Sequence, residues 1–168
     1  MMTLSEIKAE VDRLAAQINA SGYVLPTYGS SEDGARLHIE VDTRGYHYVV
    51  VERGQELERL TTNDMDELLF NVFKSVTFSL ASKYELAHRI EHQDFRRILF
   101  QRQVELLSRL SPYWGERESQ SHEQILRQHP FDDNASIRAT LTKDYRDQGY
   151  SPEAAWKMAC EQYPLPLI

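Results

Sequence analysis

The chain has 168 residues, 41% hydrophobic and 27% charged, and its 19 Lys and Arg against 26 Asp and Glu give a formal charge of −7. That length and composition suit one globular domain with a real core and leave little room for disorder except at the ends. The best candidate for a membrane span, 68–81, contains Asn71, Lys74, Ser75 and Ser79 and falls short of about 18 uninterrupted apolar residues, so it reads as a core helix.

In chain order, Thr3 and Glu6 stand at capping-box spacing before a helix whose stripe is Ile7, Val11, Leu14, Ala15 and Ile18, with Gly22 placed to end it. The segment YVLPTY reads as short and extended, and Pro26 confines it to a sheet edge or excludes it from a sheet. After the turn signal Asp33-Gly34 comes the clearest β pattern, 36–41 and 46–52 around Asp42-Thr43-Arg44-Gly45. Such a hairpin puts Leu37, Ile39, Val41, Tyr46, Tyr48 and Val50 on one face, which should pack on helices. Arg36, His38, Glu40, Asp42, His47, Val49, Val51 and Arg53 occupy the other, expected to face solvent. Gly54 then turns the chain into a third antiparallel strand over 56–60.

From Thr62 or Asn63 the period becomes helical. Met65, Leu68, Leu69, Val72, Phe73, Val76 and Leu80 recur at three- and four-residue steps, with Phe70 and Phe78 on other sides. This predicts a helix to about Lys83 or Arg89, covered from more than one direction. The next helix, 94–110, turns Phe95, Ile98, Leu99, Leu106, Leu107 and Leu110 inward and stops at Ser111-Pro112, with Trp114 anchoring the turn. Further helices are expected over 116–128, from an Asp132 or Asp133 cap to Gln148 with Gly149 as terminator, and over 153–162 behind Ser151-Pro152. The expected fold is α+β, one domain over 1–168: an N-terminal helix, a three-stranded antiparallel sheet and a predominantly helical C-terminal half.

The charge is uneven: residues 1–62 carry 6 basic against 10 acidic groups, 63–110 carry 7 of each, and 111–168 carry 6 against 9. An acidic surface repels phosphate backbones, which disfavours nucleic acid and would steer toward a basic partner. The single cysteine, Cys160, reads as packing and fits a reducing cytoplasm, and the acidic N-terminus lacks the pattern of a secretory signal. Phosphate-binding glycine loops, paired CxxC motifs and a GxSxG elbow are absent from the sequence, and no cofactor is expected.

Three polar constellations remain. Glu85, His88, Glu91 and His92 would put two imidazoles four residues apart if the helix continues through them, the spacing of a metal pair. The bland alternative is an exposed charged helix end. His38, Glu40, Asp42 and His47 share a sheet face, either a solvated hairpin side or a partner-binding face. Asp64, Asp66 and Glu67 after Thr61-Thr62 suit the positive end of a helix dipole and would be available to a basic partner.

The block Val51-Glu52-Arg53-Gly54, Arg59, Thr61-Thr62, Asp66-Glu67-Leu68-Leu69-Phe70 and Phe73 resembles the immunity proteins of bacterial polymorphic toxin systems, immunity protein family sixty-three in particular. The resemblance continues through Val76-Thr77-Phe78, Tyr84-Glu85, Asp94-Phe95-Arg96-Arg97 and Trp114 and spans about 36–114. It implies a cytoplasmic protein that neutralises a cognate toxin domain by stoichiometric binding, without catalysis. It supplies no catalytic residues, and the matching Leu68, Leu69, Phe73, Val76, Phe78 and Phe95 read as core. A basic toxin, such as one acting on nucleic acid, would meet Glu40, Asp42 and His47 on the free sheet face and Asp64 and Glu67 beside the helix start. The competing expectation is a small metal-dependent enzyme using Glu85, His88, Glu91 and His92; a third is an adaptor without a toxin. The oligomeric state is left open.

Overall fold

The computed structural model describes residues 1–167. Helix α1 (Leu4–Gln17) is followed by strands β1 (Thr27–Tyr28), β2 (Gly34–Asp42), β3 (Gly45–Glu52) and β4 (Gln55–Thr62), then helices α2 (Met65–Ala87), α3 (Arg96–Leu110), α4 (Pro112–Gln128), α5 (Ala135–Asp147) and α6 (Pro152–Gln162). The class is α+β.

The capping box of α1 forms reciprocally: Thr3 N–H donates to Glu6 Oε2 at 2.7 Å, and Glu6 N–H to Thr3 Oγ1 at 3.3 Å. The helix ends earlier than Gly22. Asn19 takes the left-handed conformation at φ 55°, and the amides of Asn19 and Ala20 return to the carbonyls of Ala16 and Ala15 in a Schellman closure.

The sheet has four strands in the order β1-β2-β3-β4, and β1 runs parallel to β2, pairing Thr27 with His38. This corrects the three-stranded antiparallel expectation. Pro26 lies just outside the two-residue strand, so the extra edge needs no amide from it. The β3–β4 turn is Arg53-Gly54, with both residues at positive φ (51° and 73°), the geometry that matches hairpin twist.

Strand alternation places the inner face as expected: Leu37, Ile39, Tyr46 and Tyr48 enter one core with Ile7, Val11 and Leu14 of α1 and Leu68, Phe73 and Val76 of α2. Leu106 and Leu107 of α3 and Trp114 of α4 complete it. Phe78 and Phe95, expected inside, are about half exposed, because α2 and α3 turn other residues toward this core.

Pro112 both ends α3 and serves as the first residue of α4, so α4 starts four residues earlier than 116 and Ser111 alone joins the two helices. That tight join presses Gly115 against α3: a Cβ there would stand 1.9 Å from Ser108 Oγ and 2.9 Å from its Cβ. Gly115→Ala is therefore expected to lower stability by about 1–3 kcal/mol, read as a shift in the denaturation midpoint. An unchanged midpoint would mean that the α3–α4 join relaxes freely.

Asp132 and Asp133 do not cap α5; Asn134 holds that position without a side-chain bond. Asp133 instead accepts from Arg97 (2.9 Å, bidentate) and from the Asp94 amide (2.9 Å). Asp94 accepts from Arg96 and from the amide of Asp132, clamping the start of α3 to the segment after α4. Helices α5 and α6 pack on each other around Ala155 and Ala159, apart from the main core. Ser151 caps α6 as expected, accepting from Ala154 N–H at 3.2 Å.

Candidate functional site

Alternation along β2 and β3 brings His38, Glu40, His47 and Val49 to the outer sheet face, with Arg59 and Thr61 of β4 beside them: Val49 pairs with His38 on one side and Arg59 on the other, and His47 with Glu40 and Thr61. This face is not an open solvated surface. His38 is 2% exposed, His47 1% and Val49 0%. The surrounding longer side chains close over them. Arg59 bridges Glu40 (2.8 Å) and Glu56 (2.7 Å), while Glu40 Oε1 lies 3.0 Å from His38 Nε2. At the hairpin end, Asp42 accepts from the Arg44 guanidinium (2.7 and 3.0 Å) and the Arg44 amide (2.7 Å). His47 Nδ1 meets Thr61 Oγ1 at 2.8 Å; its Nε2 lies 2.8 Å from Asp42 Oδ1, outside hydrogen-bond geometry.

These contacts set the charge of the face. The Arg44 guanidinium, then His47, hold the Asp42 carboxyl well below the usual carboxylate range. Arg59 lowers Glu40 in the same sense, against a smaller opposing effect of burial, and His38 adds to the lowering. Arg59 is itself raised by Glu56 and then Glu40. The surface is a lattice of alternating charges that stays ionised through the neutral range.

The α2 start is built differently. Asp64 is the N-cap, accepting from Asp66 N–H at 2.9 Å. Asp66 accepts from Trp114 Nε1 at 3.1 Å, and Glu67 from Arg117 at 2.5 and 2.9 Å, so two of the three acidic groups tie α4 to α2. Arg117 also lies over the Phe70 ring, 3.9 Å from its centroid. The β2–β3 turn reaches this junction: a Cβ on Gly45, at φ 140°, would be 2.5 Å from the Thr62 carbonyl oxygen and 2.8 Å from Asn63 Oδ1. The fold thus draws Asp42 toward the strand-to-helix junction that Asp64 caps. Glu40 lies farther along β2, His47 beneath the charged layer, and Glu67 in its pair with Arg117.

The helix required for a metal pair stops at Ala87. His88 is its C-cap and stacks on Tyr84, ring centroids 3.9 Å apart, while His92 has φ 59°. Glu85 is held by Arg89 through two 2.7 Å bonds, which lower its carboxyl. His88 and His92 therefore do not share a helical face. Among the described residues, no group of three or more His, Cys, Asp or Glu is placed to hold a metal ion. No helix among them is long and apolar enough to cross a membrane.

One polar cluster escaped the sequence reading. On α4, Glu118 and His122 continue the inward spacing of Trp114, so two polar residues stand where a helical stripe calls for apolar ones. That misplacement was the available signal. They line a groove with Lys74 of α2 and Gln103 of α3.

Residues 42–124 match the family model for Immunity protein 63. The match spans just under half of the chain and supports its assignment to that family. The matched segment contains β3, β4, α2, α3 and most of α4; α1, α5 and α6 lie outside it. No curated protein and no solved structure matches the chain. The family supports a toxin-neutralising immunity role in general. Several residues of the family-like block have structural roles: Arg53-Gly54 makes the β3–β4 turn, Asp66 and Trp114 join α2 to α4, and Asp94, Arg96 and Arg97 clamp the start of α3.

Proposed function

We propose that this Immunity protein 63 member acts in the cytoplasm by binding a cognate toxin domain stoichiometrically and blocking it without catalysis. The family match carries the reading. In it, Glu40 and Asp42 meet basic groups of the toxin, His47 acts from beneath by positioning Asp42, and Asp64 and Glu67 extend the contact onto the α2 start. The ionised lattice supports this choice, because exposed pairs such as Asp42–Arg44 exchange partners at small cost. The net charge of −7 adds long-range steering toward a basic surface. Residues 1–168 serve as one unit, with no nucleic-acid or membrane partner.

Co-expression with the C-terminal toxin domain encoded by the neighbouring gene tests the role. Restored growth and a stable complex on pull-down are expected; a toxic domain that is neither bound nor rescued would sink the pairing. The contact surface has its own test. Glu40→Lys with Asp42→Lys is expected to weaken the complex by about tenfold or more, chiefly through a slower association rate that loses its salt dependence. Unchanged association kinetics, with an intact circular dichroism spectrum, would remove this face from the interface.

A further inference from the structure

Beneath edge strand β4, a groove of about 400 Å³ opens between α2, α3 and α4. Three polar residues of its lining are almost fully buried: Gln103 is 1% exposed, Glu118 3% and His122 6%. His122 Nε2 lies 3.1 Å from Glu118 Oε1, and the imidazole stacks on Phe100 with centroids 3.8 Å apart. Gln103 donates to the Lys74 carbonyl at 3.2 Å.

Each of these three side chains keeps one buried atom without a hydrogen bond: Gln103 Oε1, Glu118 Oε2 and His122 Nδ1. Lys74 Nζ approaches Glu118 Oε2 only to 3.5 Å, an ion pair outside hydrogen-bond geometry. In the neutral tautomer that directs Nε2–H at Glu118, His122 offers Nδ1 as an acceptor. Gln103 Oε1 and Glu118 Oε2 are acceptors, joined by Nδ1 in that tautomer, and leaving them unmet opposes folding. Burial pushes the Glu118 carboxyl up, but His122 and the Lys74 charge outweigh it and leave the group below its ordinary value, ionised.

Acceptors, a carboxylate and a second acid (Glu58) in the lining call for a cationic donor, and an anionic ligand would be repelled. Phe78 and Ile125, both partly exposed, supply an apolar wall for an aliphatic stem. A guanidinium presents five N–H groups in one plane and so can satisfy several fixed acceptors at once. The groove also adjoins the surface already described: Asn71 in its lining donates to the Glu67 carbonyl (2.7 Å) and Oε1 (3.0 Å). On β4, Glu58 borders the groove while the neighbouring Arg59 pairs with Glu40.

We propose that this groove receives an arginine side chain of the toxin, whose guanidinium displaces the Lys74 ammonium from Glu118 and donates to the open acceptors. The proposal rests on the toxin-binding reading. Its first test uses no toxin: NMR titration of the full chain with Nα-acetyl-arginine amide, compared with the uncharged citrulline analogue. Saturable shifts of the Gln103 side-chain amide and the His122 ring are expected with the arginine probe alone, at about millimolar concentration. Glu118→Gln should weaken the response about tenfold, and Lys74→Met, at a position with solvent access, should strengthen it several-fold. The Lys74→Met gain keeps the test decisive if Glu118→Gln does not fold.

No response at Gln103 and His122, or an equal response to citrulline, overturns the site. If the arginine probe binds but toxin affinity is unmoved by both substitutions, the assignment to a toxin side chain is overturned. Absence of any toxin complex with normal probe binding refutes the immunity reading instead, and the groove's guanidinium selectivity stands.

Discussion

Phe73→Ala is expected to cost about 3–5 kcal/mol and to lower the melting temperature by about 10 °C. Phe73 is fully buried in the middle of α2 and stacks on Trp114, with centroids 6.1 Å apart. The cost of such a truncation depends on how far its neighbours can collapse into the space. Here they are restrained: Trp114 is fixed by its indole N–H to Asp66, and the following turn of α4 by the Arg117–Glu67 pair. The α2–α4 contact then loses packing without recovering it by a shift. Calorimetry on the purified variant checks this. A loss under about 1.5 kcal/mol would show that Trp114 moves inward despite its bond. The same packing supports the proposed toxin surface, because Asp64, Asp66 and Glu67 occupy the start of this helix.

Arg138→Met is expected to release the C-terminal helix pair while leaving the main core folded. Arg138 is almost wholly buried, pairs with Asp132 and donates to the carbonyls of Tyr163 and Pro164, both at 3.1 Å. It joins the segment before α5 to the segment after α6. Removing one partner of a buried ion pair costs about 3–5 kcal/mol, because the remaining charge and acceptors lose their donors. Methionine fills much of the volume but donates nothing. Since α5 and α6 contribute no residue to the main hydrophobic cluster, the cost should fall on them locally. Hydrogen exchange should show lost protection over 135–162 and retained protection in α2 and α3. Loss of protection throughout would show that the helix pair belongs to the same cooperative unit. Toxin binding is expected to survive, since the proposed contacts lie outside this pair.

What could be read from the amino acids alone was whatever neighbours in sequence decide. The Thr3–Glu6 box, the Ser151-Pro152 start, the 36–52 hairpin and the stripe of α2 depend on interactions a few residues apart, so spacing and residue type suffice. Alternation also assigned Leu37, Ile39, Tyr46 and Tyr48 to the helix-facing side. The family-like block was visible for a related reason, since its residues make a tight turn, helix starts and a core stripe. Local rules had less hold where distant segments compete. The parallel β1 pairing needs Thr27 beside His38, a contact between segments that no local rule supplies. Helix α2 ends at Ala87, within its expected bounds, so His88 and His92 lack the continuous helix on which a metal pair depended.

Burial of the outer sheet face was a tertiary outcome: His38 and His47 have ordinary polar spacing, but Glu40, held by Arg59, meets His38, and Asp42 and Thr61 meet His47. Phe78 and Phe95 kept their apolar identity and lost their expected place in the core. The groove illustrates the limit most clearly. Lys74, Gln103, Glu118 and Glu58 come from α2, α3, α4 and β4, and apart from the inward spacing of Glu118 nothing in the sequence of each element points to the others. Only packing those four elements together removes water from Gln103 and Glu118 and leaves their acceptors unmet. Sequence period decides which face an element turns inward; the packed fold decides what that face meets, and the free energy of a buried polar group depends on its surroundings.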